Sequence, residues 1–85
     1  MSVDSPAAIQ LDHCIVPSRN RLASAKLLAG LLGVRWAETG SVGPFSPVNV
    51  SDSLTLDFDE TPVPFPVGHY AFRVTQEQFE AILKH

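Results

Sequence analysis

Two short apolar runs, each with one histidine near its start, stand out in the pattern of hydrophobic and polar positions. Residues 11–16 read LDHCIV and residues 67–74 read VGHYAFRV. Side chains on a strand alternate between its two faces. As strands, the two runs would therefore place His13 and His69 at equivalent positions, each sharing a face with every second neighbour. We predict that both runs are strands.

An amphipathic helix is predicted directly after the first run. Between residues 19 and 32, leucines and alanines recur at steps of three and four, which is the apolar stripe of a helix that packs on a core. Ser18 or Asn20 can cap its start, and Gly33 can end it. The basic residues of this segment indicate a solvated helix face: Arg19, Arg21 and Lys26.

Three further strands are predicted before residue 60, over residues 34–38, 45–50 and 54–59. The first two are separated by a turn at residues 39–44 that contains two glycines and a proline. The last strand alternates cleanly, with an apolar face and a polar face. The apolar face comprises Leu54, Leu56 and Phe58, and the polar face Thr55, Asp57 and Asp59.

The second run begins what we interpret as an incomplete repeat of the first unit. Residues 61–67 form a proline-rich linker, and in residues 68–85 the strand with His69 precedes a capping box at residues 75–78 that opens a second helix. The predicted fold is α+β: a flexible arm (1–8), a βαβββ module (9–60), the linker, and the βα start of a second module. Its sheet is mixed, with the helices on one face. In such a duplication His13 and His69 can converge to begin a metal site.

Composition narrows the class of protein. The chain has 85 residues, enough for one small domain, and 45% hydrophobic against 18% charged residues is a globular composition. A net charge of −3, with six scattered lysines and arginines, excludes a basic nucleic-acid surface. One cysteine, Cys14, allows no internal disulfide. With neither a membrane-length apolar run nor a signal-peptide pattern, we expect a cytoplasmic protein.

The element order and the two histidine runs resemble the vicinal oxygen chelate superfamily, which includes glyoxalases, bleomycin-resistance proteins and extradiol dioxygenases. Leu-Asp-His at residues 11–13 and Gly-His-Tyr-Ala-Phe at residues 68–72 carry the resemblance. It implies that His13 and His69 are metal ligands. It also places Asp57 where some members have a ligand glutamate, and the family's carboxylate ligand of the second module falls in strands that this sequence lacks.

The resemblance implies a homodimer that uses a divalent metal (Fe, Mn, Zn or Ni) to chelate two adjacent oxygens of a small substrate, as a lyase or an extradiol dioxygenase. Two histidines and one carboxylate would leave open positions on such an ion. One alternative is a metal-free ligand-binding module of the bleomycin-resistance type, and another is an inactive fragment. The paired histidines favour the enzyme, and the missing carboxylate favours the binding module.

Three further residues are candidates for substrate binding. Arg73 shares a strand face with His69, and its guanidinium could bind an anionic group of the substrate. An exposed arginine at a sheet edge is an equally good reading. Trp36 and Phe45 could line an apolar pocket, although core packing also accounts for them. Cys14 lies on the opposite face from His13, and we expect it to pack against the first helix.

Overall fold

The computed structural model describes residues 9–40 and 43–85, so the predicted arm (1–8) and two residues of the predicted turn at 39–44 lie outside the described part. The predicted α+β class is confirmed. Every strand and helix predicted before residue 60 is present, with shifted ends. The elements in chain order are β1 (His13–Ser18), α1 (Arg21–Leu32), β2 (Arg35–Trp36), β3 (Ser46–Asn49), β4 (Thr55–Glu60) and α2 (Gln76–Leu83).

The four strands form one mixed sheet in the order β1-β4-β3-β2. β1 pairs with β4 in parallel, and the other two pairs are antiparallel. A parallel pair needs a crossover, which α1 supplies by packing across the sheet. The side chains beneath α1 are all buried: Val16, Ser18, Ser46, Val48, Leu56 and Phe58. We call this side the helix face of the sheet.

Helix α1 ends where the sequence predicts, and it begins after Asn20, one of the two predicted caps. The Asn20 side chain accepts a hydrogen bond from the Ala23 backbone N–H at 3.0 Å, and Gly33 closes the helix in the left-handed region at φ 69°. Ala25 and Ala29 face the sheet and are almost fully buried. Two alanines at this interface let the helix axis lie close to the strands, because neither side chain extends beyond Cβ.

Arg21 is half-buried, so its prediction as a solvated residue is wrong. Its guanidinium donates to the Ser46 hydroxyl and to the Glu38 backbone carbonyl, and the Ser46 hydroxyl also donates to that carbonyl. Ser46 is completely buried, so its hydroxyl needs these partners. The contacts join the first turn of α1 to β3 and to the segment that precedes it.

Residues 67–74 form no strand in the described structure, so the prediction that His69 lies on a strand is wrong. A strand exists only where a neighbour takes its backbone hydrogen bonds, and no described strand pairs with this segment. Instead, Phe72 packs against the edge of the core, and Tyr70 borders a cavity on the helix face. Phe72 and Val74 are thus half-buried, whereas Val67 and Tyr70 stay exposed, and the segment takes no part in the sheet.

The capping box that opens α2 is confirmed. The Thr75 N–H donates to Gln78 Oε1 at 2.8 Å, and the Gln78 N–H donates to Thr75 Oγ1 at 3.1 Å. The helix contacts α1 but buries none of its residues. Within residues 9–40 and 43–85, neither helix has the length and hydrophobicity needed to cross a membrane.

Candidate functional site

The side of the sheet opposite α1 carries polar side chains from three adjacent strands, and we call it the open face. Register places His13 of β1 beside Thr55 of β4, and Thr55 beside Asn49 of β3. Two residues further along β4, Asp57 lies between Ile15 and Pro47. The open face is thus a grid of two rows: His13, Thr55 and Asn49 in one, and Ile15, Asp57 and Pro47 in the other.

A cavity of about 390 Å³ lies on this grid. Its lining comprises Asp12, His13, Gly40, Pro47, Asn49, Thr55 and Asp57. Gly40 forms a wall against Pro47, since a Cβ at Gly40 would lie 3.1 Å from the proline Cγ. A side chain there would push the wall outward and change the shape of the cavity.

The imidazole of His13 is held by its neighbour. Its Nδ1 lies 3.0 Å from Asp12 Oδ2, and an ionised carboxylate can only accept, so Nδ1 carries the proton. This tautomer leaves the Nε2 lone pair available to a metal ion or to a substrate proton. A histidine that ligates a metal generally donates its second ring N–H in this way, to a carboxylate, a backbone carbonyl or water.

The pKa of His13 is raised above its ordinary value of 6.5, chiefly by the hydrogen bond to Asp12, with further attraction from Asp12 and Asp57. The stabilisation from this protonated pair is complete below the unfolded-state pKa and is lost as the pH rises through the raised value. Metal binding has the opposite dependence, because a metal needs the neutral ring. Protons therefore compete with a metal at His13 up to a higher pH than at an ordinary histidine.

Replacing Asp12 by asparagine is expected to lower the pKa of His13 towards 6.5. The amide removes both the charge-assisted hydrogen bond and the negative charge. Titration of the His13 ring protons by NMR, in metal-free protein, measures the change directly. Asp52→Asn, at an exposed turn position, is the control and should leave the titration curve of His13 unchanged. A wild-type pKa at or below 6.5 would show that the carboxylate does not hold this ring in solution.

Only two of the three predicted metal ligands lie together. His13 and Asp57 border the same cavity, and the charge of Asp57 acts on His13. His69 is exposed, in the unpaired segment, and does not line that cavity. In the described part of the chain, no three His, Cys, Asp or Glu side chains are grouped as metal ligands. What the structure brings together is one histidine and one carboxylate on two neighbouring strands.

None of the three residues predicted to bind substrate lines the cavity on the open face. Arg73 is exposed beside a separate cavity with Phe72 and Val74. Trp36 is half-buried and packs against the core on the helix side. Phe45 lies on the turn next to Gly43, where a Cβ would come within 2.8 Å of its ring. Cys14 packs against the core beneath α1, as its strand position predicts.

Sequence reasoning missed the residues that complete the cavity. Asp12 adjoins His13, and a carboxylate next to a candidate ligand is a signal that could have been used. Thr55 lies two residues before Asp57, on the strand face that the alternation identified as polar. Gly40 and Asn49 carried no such signal, because their positions depend on strand pairing and on a turn.

No family profile matches the chain, and no curated protein sequence matches it. Thirteen chains of solved structures do match it, two named oxidases among them. "Oxidase ChaP-H2" aligns with a TM-score of 0.81 and 34% identity over 89% of this chain and 58% of its own. "Oxidase ChaP-H1" aligns with a TM-score of 0.79 and 39% identity over 91% of this chain and 60% of its own.

Both neighbours have the vicinal oxygen chelate type of fold. The fold of this chain is that of a partial vicinal oxygen chelate module. The chain spans about three-fifths of the length of each neighbour. The open face of this module carries His13 and Asp57, and α1 covers its other face.

Proposed function

We propose that this chain belongs to a metal-dependent oxidase of the dioxygenase type, which binds a small substrate through two adjacent oxygens on the open face. The single observation that carries the proposal is the pairing of His13, whose Nε2 is left available by Asp12, with Asp57 on the next strand. Both structural neighbours are named oxidases, which supports oxidation over lyase chemistry.

The donor set fits a divalent ion in part. One imidazole nitrogen and one carboxylate are donors that iron, manganese, zinc and nickel accept. When bound, such an ion would act as a Lewis acid on the substrate oxygens. Because Zn²⁺ has no redox chemistry, an oxidase favours iron or manganese.

His69 is the third donor in this proposal. It lies in residues 67–74, which pair with no described strand. The backbone N–H and C=O groups of this segment can therefore still pair with a strand at the edge of a sheet, and β1 is such a strand. Large apolar side chains are exposed along and just before it: Ile9, Leu11 and Ile15. An exposed edge with apolar neighbours favours association of chains, and we propose a homodimer in which the open face becomes a closed site.

The chain's own side chains have distinct roles in this site. Asp12 holds the proton on His13 Nδ1 and fixes the direction of Nε2. Asp57 supplies a carboxylate oxygen, either to the ion or to a substrate hydroxyl as its proton acceptor. Gly40 and Pro47 form the wall that limits access of water from one side. Arg73, Trp36 and Phe45 do not line this cavity, and the proposal assigns them no role.

Titration of the chain with Mn²⁺, followed by NMR, tests the proposal. Paramagnetic Mn²⁺ broadens signals of nearby nuclei, so the amides of His13, Thr55 and Asp57 should broaden at substoichiometric ion. Because this broadening falls off steeply with distance, the amides of Ala25 and Ala29, on the far side of the sheet, should broaden less. Oxygen uptake with catechol by the iron-loaded chain then tests the oxidase activity.

Three outcomes would count against the proposal. Broadening that is uniform over the chain would show that the ion has no site on the open face. Ion binding without oxygen uptake would rule out the proposed oxidase activity but would be consistent with the proposed metal site. Catechol binding to a chain that takes up no ion would favour the metal-free binding module.

A further inference from the structure

The cavity on the open face contains one side-chain pair that the metal proposal does not use. Asn49 and Thr55 are register partners on β3 and β4, and the Thr55 hydroxyl donates to Asn49 Oδ1 at 3.4 Å. This contact engages the amide oxygen. The two N–H donors of the Asn49 amide are not used by it, and the residue lines the cavity.

The position of Asn49 relative to His13 suits a small aromatic or sugar-like molecule. His13, Thr55 and Asn49 lie in one row across three strands. With neighbouring strands about 4.8 Å apart, the two ends of the row are roughly 10 Å apart. A six-membered ring with a polar substituent spans this distance, with one end at His13 and the other at the amide.

The charges around the row are negative or neutral. Asp12 and Asp57 line the cavity, and none of its seven described lining residues is lysine or arginine. The arginine predicted to bind an anion, Arg73, borders a different cavity, and Arg21 is engaged on the helix face with Ser46. A bound divalent cation would be balanced by the two carboxylates. Neither state offers a net positive charge to an anionic substituent.

We propose that Asn49 is a substrate-binding residue, and that the substrate it holds carries no negative charge. The amide donates to a neutral oxygen acceptor at the end of the substrate far from His13. Asp12 and Asp57 disfavour carboxylates and phosphates in the same space and favour a cationic group. The inference rests on the proposed function only in taking a vicinal diol as the reacting part of the substrate.

Three probes that share a vicinal diol and differ in charge test the inference: catechol, 3,4-dihydroxybenzoate, and catechol with an aminoethyl substituent. Each is titrated into the metal-free chain, and the affinity is measured from the NMR shifts of the Asn49 side-chain amide. We expect the carboxylate probe to bind about tenfold more weakly than catechol. The aminoethyl probe should bind at least as tightly as catechol.

Two variants and one control separate the contribution of the Asp57 charge from that of the Asn49 amide. Asp57→Asn should reduce the difference between the carboxylate and aminoethyl probes, whereas Glu77→Gln, an exposed carboxylate on α2, should not. Asn49→Ala removes the side-chain amide that reports binding, so its titrations follow the backbone amide of Thr55, which lines the same cavity. This variant should weaken binding of all three probes by a similar factor, about fivefold. Circular dichroism of each variant confirms that the sheet is retained.

The outcomes distinguish this inference from the proposed function. A carboxylate probe that binds as tightly as catechol, or probes that leave the Asn49 amide unshifted, would overturn the inference whether or not the chain binds Mn²⁺. The expected ranking in a chain that takes up no Mn²⁺ would uphold the inference while the metal-dependent oxidase fails.

Discussion

Replacing His13 by alanine should weaken Mn²⁺ binding by at least about 100-fold, because loss of an orienting group alone costs 10–100-fold and this change removes the donor itself. The strand should survive. His13 is exposed on β1, and its deletion leaves no buried cavity. Isothermal titration of Mn²⁺ into the variant measures the loss, and circular dichroism checks the fold.

His85→Ala is the matched control for His13→Ala. His85 lies on the helix side, with its ring close to Gly30, and it is remote from the open face. Its removal should leave Mn²⁺ affinity within about twofold of the wild type. Equal losses in the two variants would indicate nonspecific binding to exposed histidines. An unchanged Mn²⁺ affinity in both variants would show that His13 is not a ligand of the ion.

Replacing Phe58 by alanine should lower the free energy of unfolding by about 3–5 kcal/mol, the range for deletion of a buried aromatic ring. Phe58 is 7% exposed on β4 and belongs to the core with Val16 and Leu56. A domain of this size has a small free energy of unfolding. We therefore expect a large fraction of the variant to be unfolded at 25 °C, as measured by urea denaturation.

Leu83→Ala provides the comparison for Phe58→Ala, because Leu83 on α2 is 69% exposed. Substitution at such a position should change the stability by less than about 0.5 kcal/mol. If Phe58→Ala unfolds at the same urea concentration as the wild type, the core described for β4 does not hold the domain together.

Local patterns predicted most of the first module and the start of α2. The alternation on β4 identified its buried face, because a half-buried strand must place apolar residues at every second position. Asn20, Gly33 and the Thr75 capping box gave the helix ends, since these residue types satisfy backbone groups that a helix leaves unpaired. In each case, the determining interaction lies within a few residues of sequence.

The remaining features depend on pairings between distant residues. The run at residues 67–74 has the composition of a strand, but composition cannot supply a neighbouring strand. Arg21 has the sequence context of a solvated residue, and only the packing of α1 on β3 brings Ser46 to its guanidinium. The same distinction holds for the candidate site. His13 and Asp57 were predicted from the family resemblance, whereas the position of Asn49 in the cavity depends on the pairing of β3 with β4.

The position of β1 at the sheet edge has a consequence for how the site is assembled. β2, β3 and β4 are consecutive and antiparallel, so their pairing closes only short loops. β1 joins β4 only after the chain has passed through α1 and both hairpins, and such nonlocal contacts have the larger loop-closure entropy. His13 is on β1 and Asp57 is on β4. Detachment of this one strand would separate the two groups while leaving the hairpins intact, so the proposed site depends on the strand pairing that closes at the greatest entropic cost in this sheet.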